Sequence, residues 1–301
     1  MTSLAPRLRT LLSRTRITAD QVTICGRKIK AGSRGELEQK LAAHLYATFH
    51  AGLPNTASGK ARLKKSHWLE QELAEAIPHT TTPVTAIARE DNGEQVLVEW
   101  DGVLVRVPRE LAADTPDPGM PVRLLVPPAR PGLSPGFQFV TGSRPPVFAG
   151  PLLRVYVHLT DPAKAAFLWQ AVLGSLELAG VAYQAKVLIR ADEYPRRDAM
   201  VVYLPAEEAD VARLIADTVR GQPGTGEITS LFAEQLAPGV ARAWEPIDTR
   251  FGMAGLSFGL HRCRVLAKAL LDDSEQPEKA VLQAFLAAGI DPENPALNSG
   301  K

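Results

Sequence analysis

The sequence predicts an α+β protein in which an N-terminal helical segment and a small antiparallel β module precede an α+β domain whose sheet packs against helices. Three observations lead to this prediction. Apolar residues recur at helical spacing early in the chain, they alternate along short segments after residue 82, and the two patterns follow one another from residue 151 onward. We therefore expect three regions, namely 1–78, 79–150 and 151–301.

The N-terminal region contains a helical pattern over residues 33–52. Ser33 and Glu36 have the spacing of a capping box, and Gly52 follows the last apolar residue of the pattern. A loop with a short basic run comes next, and a second helical pattern begins after Ser66. The whole first region is therefore predicted to be helical.

The second region is predicted to hold a small antiparallel sheet and a linker. Segments of alternating apolar residues are separated by the tripeptide DNG at 91–93 and the dipeptide DG at 101–102, both of which favour tight hairpin turns. The stretch 116–151 is rich in proline and glycine. We expect it to connect the sheet to the last region of the chain.

The last region begins with the strand pattern RVYVHL at 154–159. An amphipathic helix at 161–178 follows and starts with an Asp-Pro pair, which is typical of a helix N-terminus. Two strand patterns at 183–190 and 199–205 come next, and three further helical patterns complete the chain. This order predicts a sheet with helices packed on one face.

The composition is that of a soluble globular protein. Hydrophobic residues make up 45% of the chain, and 34 basic against 33 acidic residues give a net charge of +1. This balance argues against nucleic acid or a membrane as partner, and no apolar run is long enough to span a bilayer. Cys25 and Cys263 are the only cysteines and form no cluster with histidine, so we expect a cytoplasmic location and no metal site.

Polar side chains share one face of the strand RVYVHL. Because strand side chains alternate, Arg154, Tyr156 and His158 face the side opposite to the apolar residues between them. Lys186 and Arg190 project in the same way from the next strand pattern. If the helix that follows RVYVHL covers the apolar side, these polar residues line one hollow on the other side.

Further cations are expected to reach this hollow from a turn and from the start of a C-terminal helix. They are Arg196, Arg197, His261, Arg262 and Arg264. Arginine binds phosphate through paired hydrogen bonds and a helix N-terminus favours an anion, so we expect a phosphate ligand. Asp198 is expected to pair with an arginine. A solvated sheet face without a ligand would also account for each of these residues separately.

Several segments, in this order from about residue 40 to the C-terminus, resemble the HopA-type effector family. They are LYATFHAG, LSPGFQF, RVYVHLT, YQAKVLI, RRDAMVVYLP, SFGLHRCRVLAKAL and AAGIDPENPALN. The family includes type III effectors of plant pathogens. It also includes the lyases of class V lanthipeptide and thioamitide biosynthesis, which act on peptides that a separate kinase has phosphorylated.

The resemblance implies a phospholyase-like domain at 151–301. Its expected reaction is elimination of phosphate from phosphoserine or phosphothreonine of a ribosomal precursor peptide, which leaves dehydroalanine or dehydrobutyrine. Lys186 is the expected base, provided that nearby cations lower its pKa. The acid is His158, Tyr156 or His261, with His158 preferred because histidine titrates in the useful range.

The resemblance also implies the partners. No metal or other cofactor is required for the reaction, and the expected partners are the phosphorylated precursor peptide and the kinase of the same pathway. Because the chemistry is assigned to the C-terminal part, residues 1–150 are expected to dock the kinase or the leader peptide. A different class of function uses the same residues: a non-catalytic module that binds a phosphopeptide or a kinase through its basic hollow.

Overall fold

The computed structural model describes residues 3–18, 20–53, 66–272 and 275–299. Its helices are α1 (Pro6–Ser13), α2 (Arg34–Leu45), α3 (His67–Glu75), α4 (Pro162–Leu178), α5 (Ala212–Val219), α6 (Phe258–Asp272) and α7 (Pro277–Ala287). Its strands are β1 (Thr15–Ile17), β2 (Gln21–Ile24), β3 (Arg27–Lys30), β4 (Thr82–Asp91), β5 (Gln95–Trp100), β6 (Val103–Pro108), β7 (Pro121–Val126), β8 (Phe137–Thr141), β9 (Leu152–Leu159), β10 (Gln184–Leu188), β11 (Arg196–Pro205), β12 (Glu234–Ala237) and β13 (Val240–Trp244). The protein is thus an α+β fold, as predicted.

A six-stranded sheet of order β12-β13-β9-β11-β10-β8 forms the centre of the fold. The described neighbours in this sheet pair antiparallel. Val155 and Val157 of β9 are fully buried on one face, where α3, α4 and α5 pack. Tyr156 faces the other side, where α2 and α6 contribute to a second core.

The prediction that helices pack on one face of the central sheet was wrong, because both faces are covered. The face of the sheet beside Tyr156 is therefore packed against α2 and α6 rather than left as an open hollow. Both faces are covered because each carries apolar side chains that are buried against helices. Each aliphatic side chain buried in these two layers contributes about 1.5–3 kcal/mol.

The N-terminal region is not wholly helical. Between α1 and α2, residues of β1, β2 and β3 form a three-stranded antiparallel sheet. Cys25 and Gly26 connect β2 to β3 with positive φ angles of 47° and 83°, the geometry of a type I′ hairpin turn. These strands are only three or four residues long, so their alternation is too short to stand out from a helical pattern.

The helix predicted at 33–52 is present and ends in an unusual way. Ser33 accepts a hydrogen bond from the Glu36 backbone N–H, which is the capping interaction that the sequence predicts. After α2 the chain continues as a π-helical turn over Tyr46–Ala51 and stops at Gly52, whose φ is 70°. The predicted basic loop falls largely on residues 54–65, which lie outside the described part of the chain.

The small antiparallel module of the second region is confirmed as a four-stranded sheet of order β6-β5-β4-β7. Its two predicted hairpin turns connect β4 to β5 and β5 to β6. The stretch 116–151 is more than a linker, because it contains β7 and β8. Since β8 pairs with β10, one strand from before residue 150 belongs to the central sheet.

Two strands at the opposite edge of the central sheet, β12 and β13, were not predicted. They form a hairpin around Gly239, and β13 pairs with β9. A Cβ at Gly239 would lie 2.0 Å from the carbonyl oxygen of Gly226, so this turn requires glycine. No helix in the described ranges is long and apolar enough to cross a membrane.

Candidate active site

Lys186 lies on the face of the central sheet that α2 and α6 cover. Cross-strand pairing places it beside Val201 of β11, which pairs in turn with Tyr156 of β9. Arg154 lies two residues before Tyr156 on the same face, because strand side chains alternate. Pairing of Arg154 with Tyr203 places that phenol in the neighbouring row. The shared face predicted for the polar residues of β9 and β10 is therefore present.

The amine of Lys186 has no carboxylate partner within 4 Å in the described part of the chain. Its Nζ lies 3.4 Å from Oγ of Ser134 and 4.4 Å from the ring centroid of Phe137. Burial lowers the pKa of Lys186 to about 8, and the nearby Arg154 guanidinium adds to this effect. A useful fraction of this amine is therefore unprotonated near neutral pH.

Arg154 forms a partly buried ion pair with Glu245, which follows β13. Its Nε and NH2 groups donate to the two carboxylate oxygens, and its guanidinium carbon lies 5.0 Å from the ring centroid of Tyr203. This bidentate pair fixes the guanidinium plane and leaves its NH1 group without a partner among the described residues. Glu245 lies 91 residues away in sequence, and no local pattern indicates that it pairs with Arg154.

A second ion-pair network surrounds Arg196. Its Nε and NH2 donate to the Asp198 carboxylate, and its NH1 donates to Glu193 at 2.9 Å. The Tyr46 hydroxyl donates to Oδ2 of Asp198 at 3.0 Å. Although burial opposes ionisation, Arg196 holds the pKa of Asp198 to about 2. The ion pair expected for Asp198 is therefore present.

The π-helical turn after α2 places His50 next to this network, a position that sequence reasoning missed. Nδ1 of His50 lies 2.8 Å from Oγ of Ser230, and Nε2 lies 3.9 Å from Oδ2 of Asp198. Burial lowers the pKa of His50 to about 4, although Asp198 opposes this shift. A Cβ at Gly259 would lie 2.2 Å from the imidazole, so α6 approaches His50 closely.

Arg190 extends the group of cations toward the loop before β8. Its NH1 donates to Oε1 of Glu193 at 2.7 Å, so Glu193 bridges Arg190 and Arg196. The Arg190 side chain packs against Gly136, where an added Cβ would lie 3.3 Å from the guanidinium carbon. Its remaining donors have no partner in the described ranges. Glu193 lies three residues from each of the two arginines, and this spacing is a signal that sequence reasoning overlooked.

These residues together are called the Lys186 cluster below. The cluster comprises Arg154, Lys186, Arg190, Arg196, Glu193, Asp198 and Glu245. Four cations and three carboxylates give it a formal charge of +1, so it is much less basic than the sequence prediction implied. Within it, Lys186 is the cation that no described carboxylate neutralises directly.

Two of the three acid candidates, Tyr156 and His158, have different surroundings. The phenol of Tyr156 is buried without a described hydrogen-bond partner, and burial raises its pKa, so it stays protonated. The imidazole of His158 lies against Gly226, and its Nδ1 also has no described partner. Burial, together with Arg197, lowers the pKa of His158. Of the two residues, Tyr156 is the one in the cross-strand row of Lys186.

Arg197 does not join the Lys186 cluster, contrary to the sequence prediction. Its NH1 donates to the backbone carbonyls of Thr48 and Phe49, both at 3.2 Å. Its side chain also packs against Gly52, where an added Cβ would lie 2.7 Å from Nε. Arg197 therefore caps the end of the π-helical turn that carries Tyr46 and His50.

The sequence predicted that His261 and two arginines of α6 line the same hollow, but the structure gives them other partners. Nε2 of buried His261 lies 2.9 Å from Oδ2 of Asp248. Arg262 is also buried, and its guanidinium contacts the carbonyl of Pro295 and the side chain of Asn298.

The third predicted residue of α6, Arg264, is exposed. Its NH1 donates to the carbonyl of Gly252 at 3.2 Å. Arg262 and His261 thus hold the C-terminal segment and the 245–250 loop in place, and Arg264 lies at the surface. In the described part of the chain, no group of three or more His, Cys, Asp or Glu side chains is arranged to hold a metal ion.

The sequence over residues 128–297 matches the HopA1 effector protein family. This range spans more than half of the chain. The chain belongs to the HopA1 effector protein family. All members of the Lys186 cluster lie within the matched range, whereas Tyr46 and His50, which complete the site from the turn after α2, lie before it.

Two solved structures of bacterial effector proteins have a similar fold. The effector protein from Pseudomonas syringae pv. tomato strain DC3000 is 18% identical to this chain, with a TM-score of 0.53 over 90% of this chain and 92% of that one. The effector protein from Pseudomonas syringae pv. syringae strain 61 is also 18% identical, with a TM-score of 0.51 over 88% and 92% of the two chains. No curated protein is significantly similar in sequence.

Proposed function

We propose that this protein is a phosphoserine/phosphothreonine lyase in which Lys186 removes the α-proton. The observation that carries the proposal is the environment of that amine. It is partly buried, lies close to two arginines, lacks a described carboxylate partner, and has a pKa lowered to about 8. A lysine on the surface would be protonated at neutral pH and unable to act as a base.

The reaction is a β-elimination. The Lys186 amine takes the proton from Cα of the phosphorylated residue, the electron pair of that C–H bond forms a Cα–Cβ double bond, and the Cβ–O bond breaks. The phosphate leaves with the electron pair of the broken bond. Phosphoserine then becomes dehydroalanine and phosphothreonine becomes dehydrobutyrine, with no change of oxidation state and no metal or nucleotide involved.

The phosphate is bound by arginine donors that the ion pairs leave free. Arg154 has a free NH1 group, and Arg190 uses one nitrogen for Glu193 and keeps the others. Arg196 is less available, because each of its nitrogens already donates to Asp198 or Glu193. We therefore assign the phosphate to Arg154 and Arg190, with Arg196 helping to lower the pKa of Lys186 through its charge.

Tyr156 is the better of the acid candidates. It is protonated, has no described partner, and lies on the same row of the sheet as Lys186. His158 lies further along β9 toward Gly226, and the imidazole of His261 is occupied by Asp248 and Arg262. This ranking replaces the preference for His158 that the sequence suggested.

The proposed substrate is a precursor peptide of ribosomal origin, phosphorylated by a kinase of the same pathway. Support comes from the segments that resemble lanthipeptide and thioamitide lyases and from membership of the HopA1 family. A second function is a non-catalytic module that binds a phosphopeptide or a kinase. The three carboxylates of the Lys186 cluster favour it, because ion pairs that almost balance the charge are also what a purely structural network requires.

The test is to incubate the protein with a phosphothreonine peptide and its phosphoserine and unphosphorylated counterparts, and to measure intact masses. Elimination removes phosphoric acid and leaves a dehydro residue that adds a thiol. Hydrolysis instead restores the hydroxyl and gives a product heavier by one water. An unchanged mass together with saturable binding supports the binding module and overturns the lyase proposal.

A further inference from the structure

The near-neutral net charge conceals a strong asymmetry along the chain. The first 65 residues contain 13 basic and three acidic residues, whereas the remaining 236 contain 21 basic and 30 acidic residues. The net charges of these two parts are therefore +10 and −9. An N-terminal part this basic creates a local field for an anionic partner, which the overall balance does not reveal.

Part of this charge lines a groove between β3 and α2. The groove has a volume of about 390 Å³ and is lined by Arg27, Lys28, Ile29, Lys30, Lys40, His44 and Ala47. Lys40 pairs with Glu36 at 2.7 Å. No described carboxylate lies within 4 Å of Arg27, Lys28 or Lys30, so the groove keeps a positive surplus.

The backbone of β3 is also available for pairing. In the two-residue hairpin, Ile24 and Arg27 form the hydrogen-bonded pair next to the turn. Antiparallel pairs alternate, so the backbone groups of Lys28 and Lys30 point away from β2. Lys40 donates from α2 to the carbonyl of Lys30 at 3.1 Å, so the outward groups left for pairing are the N–H and carbonyl of Lys28 and the N–H of Lys30. No described strand pairs with this outer edge of β3.

We propose that this groove binds an acidic peptide segment in an extended conformation, as a fourth strand along β3. Backbone hydrogen bonds to the N–H and carbonyl of Lys28 and to the N–H of Lys30 would supply affinity, and carboxylates on the added strand would meet the cations of the groove. Alternate apolar side chains would contact Ile29 and Ala47. The proposal goes beyond the lyase function and does not depend on it.

Two alternative roles fit the groove less well. Charged residues on an edge strand discourage pairing between copies of a protein. That role accounts for Lys28 and Lys30 but not for Lys40 and His44, which line the same groove from α2. Single-stranded nucleic acid is bound by aromatic platforms on which bases stack, and the described lining of the groove contains no Phe, Tyr or Trp.

The experiment measures fluorescence anisotropy of a short labelled peptide in which Glu alternates with Val. We expect saturable binding by the full chain, and a loss of at least about tenfold in affinity for Lys28→Glu/Lys30→Glu. Arg9→Glu/Arg14→Glu is the matched control, because it makes the same charge change at exposed positions on and just after α1. It should retain affinity within about twofold at physiological salt.

A second peptide tests the strand geometry. Replacing each Val by Pro removes backbone donors but keeps the charges, and we expect binding to be lost. The proposal would be overturned if the proline peptide bound equally well, or if the control variant lost as much affinity. It would also be overturned if oligothymidylate or phosphatidylserine vesicles bound more tightly than the peptide through Lys28 and Lys30. If the charge-reversal variant has a lowered melting temperature, the binding measurement is repeated with Lys28→Ala/Lys30→Ala. Elimination is not measured, so failure of the lyase proposal leaves this result interpretable.

Discussion

Lys186 and Tyr156 face the same side of the central sheet and pair with Val201 from its two sides. Two strand spacings separate their backbones by about 10 Å, and the buried side chain of Val201 lies between them on the same face. Lys186 provides an amine with a lowered pKa, and Tyr156 provides a protonated phenol. The proposed base and the proposed acid therefore lie on opposite sides of Val201.

Replacing Lys186 by Ala should abolish elimination and preserve binding. Loss of a general base costs about 10²–10⁴-fold in rate, whereas the arginines assigned to the phosphate remain. The turnover of a phosphothreonine peptide is followed by mass spectrometry, and its affinity by calorimetry. Lys186→Arg keeps the charge, but arginine stays protonated in proteins and cannot accept the proton, so this variant should be equally inactive. Lys279→Ala, on the exposed side of α7, should be unaffected; normal turnover by Lys186→Ala would refute the assignment.

The pH dependence of elimination should report the pKa of Lys186. Because the free amine acts as base, kcat/KM should rise about tenfold per pH unit up to a pKa of about 8 and then level off. Glu245 raises the pKa of Lys186, so Glu245→Gln should move this rise toward lower pH. A profile that is flat between pH 6 and 9 (about the titration range of this amine) contradicts the role of Lys186.

The sequence predicted those elements whose signals are local. Capping by Ser33 and the alternation along RVYVHL depend on neighbouring residues, and the structure contains both features. Pairings between distant segments were missed. Nothing near Arg154 indicates that Glu245 neutralises it, and nothing in the proline-rich stretch indicates that β8 pairs with β10.

The same limitation affected the candidate site. Alternation correctly grouped Arg154, Tyr156 and Lys186 on one face. The number of arginine N–H donors that remain free, however, depends on which carboxylates from other segments pair with them. A truncation of residues 1–145 is also unsuitable as a test of docking by the N-terminal part, because it would remove α2 and β8 from the central fold. Point variants are therefore needed to separate docking from folding.

Arg262 should be required for stability rather than for catalysis. Its buried guanidinium contacts two backbone carbonyls and Asn298. Arg262→Met leaves these acceptors without donors, and each buried acceptor left unsatisfied costs about 1–3 kcal/mol. Arg264→Met is the control, because Arg264 is exposed on the same helix; its effect should stay within about 0.5 kcal/mol. Urea unfolding measures both variants, and equal stabilities would contradict the bracing role.

Tyr156→Phe distinguishes the two acid candidates. The variant removes a buried hydroxyl that has no described partner, so stability should be unchanged or slightly increased, since an unsatisfied buried polar group is costly. Elimination should nevertheless slow by about 10²-fold if the phenol protonates the departing phosphate. His158→Asn should have a smaller effect, because His158 lies toward Gly226 and outside the row of Lys186.

Rates for the two variants and the wild type are compared on two peptides. One contains phosphothreonine, and the other contains a thiophosphate-bridged analogue whose better leaving group needs no acid. Recovery of Tyr156→Phe on that analogue supports its role as acid, whereas a larger loss in His158→Asn on phosphothreonine alone would return the assignment to His158.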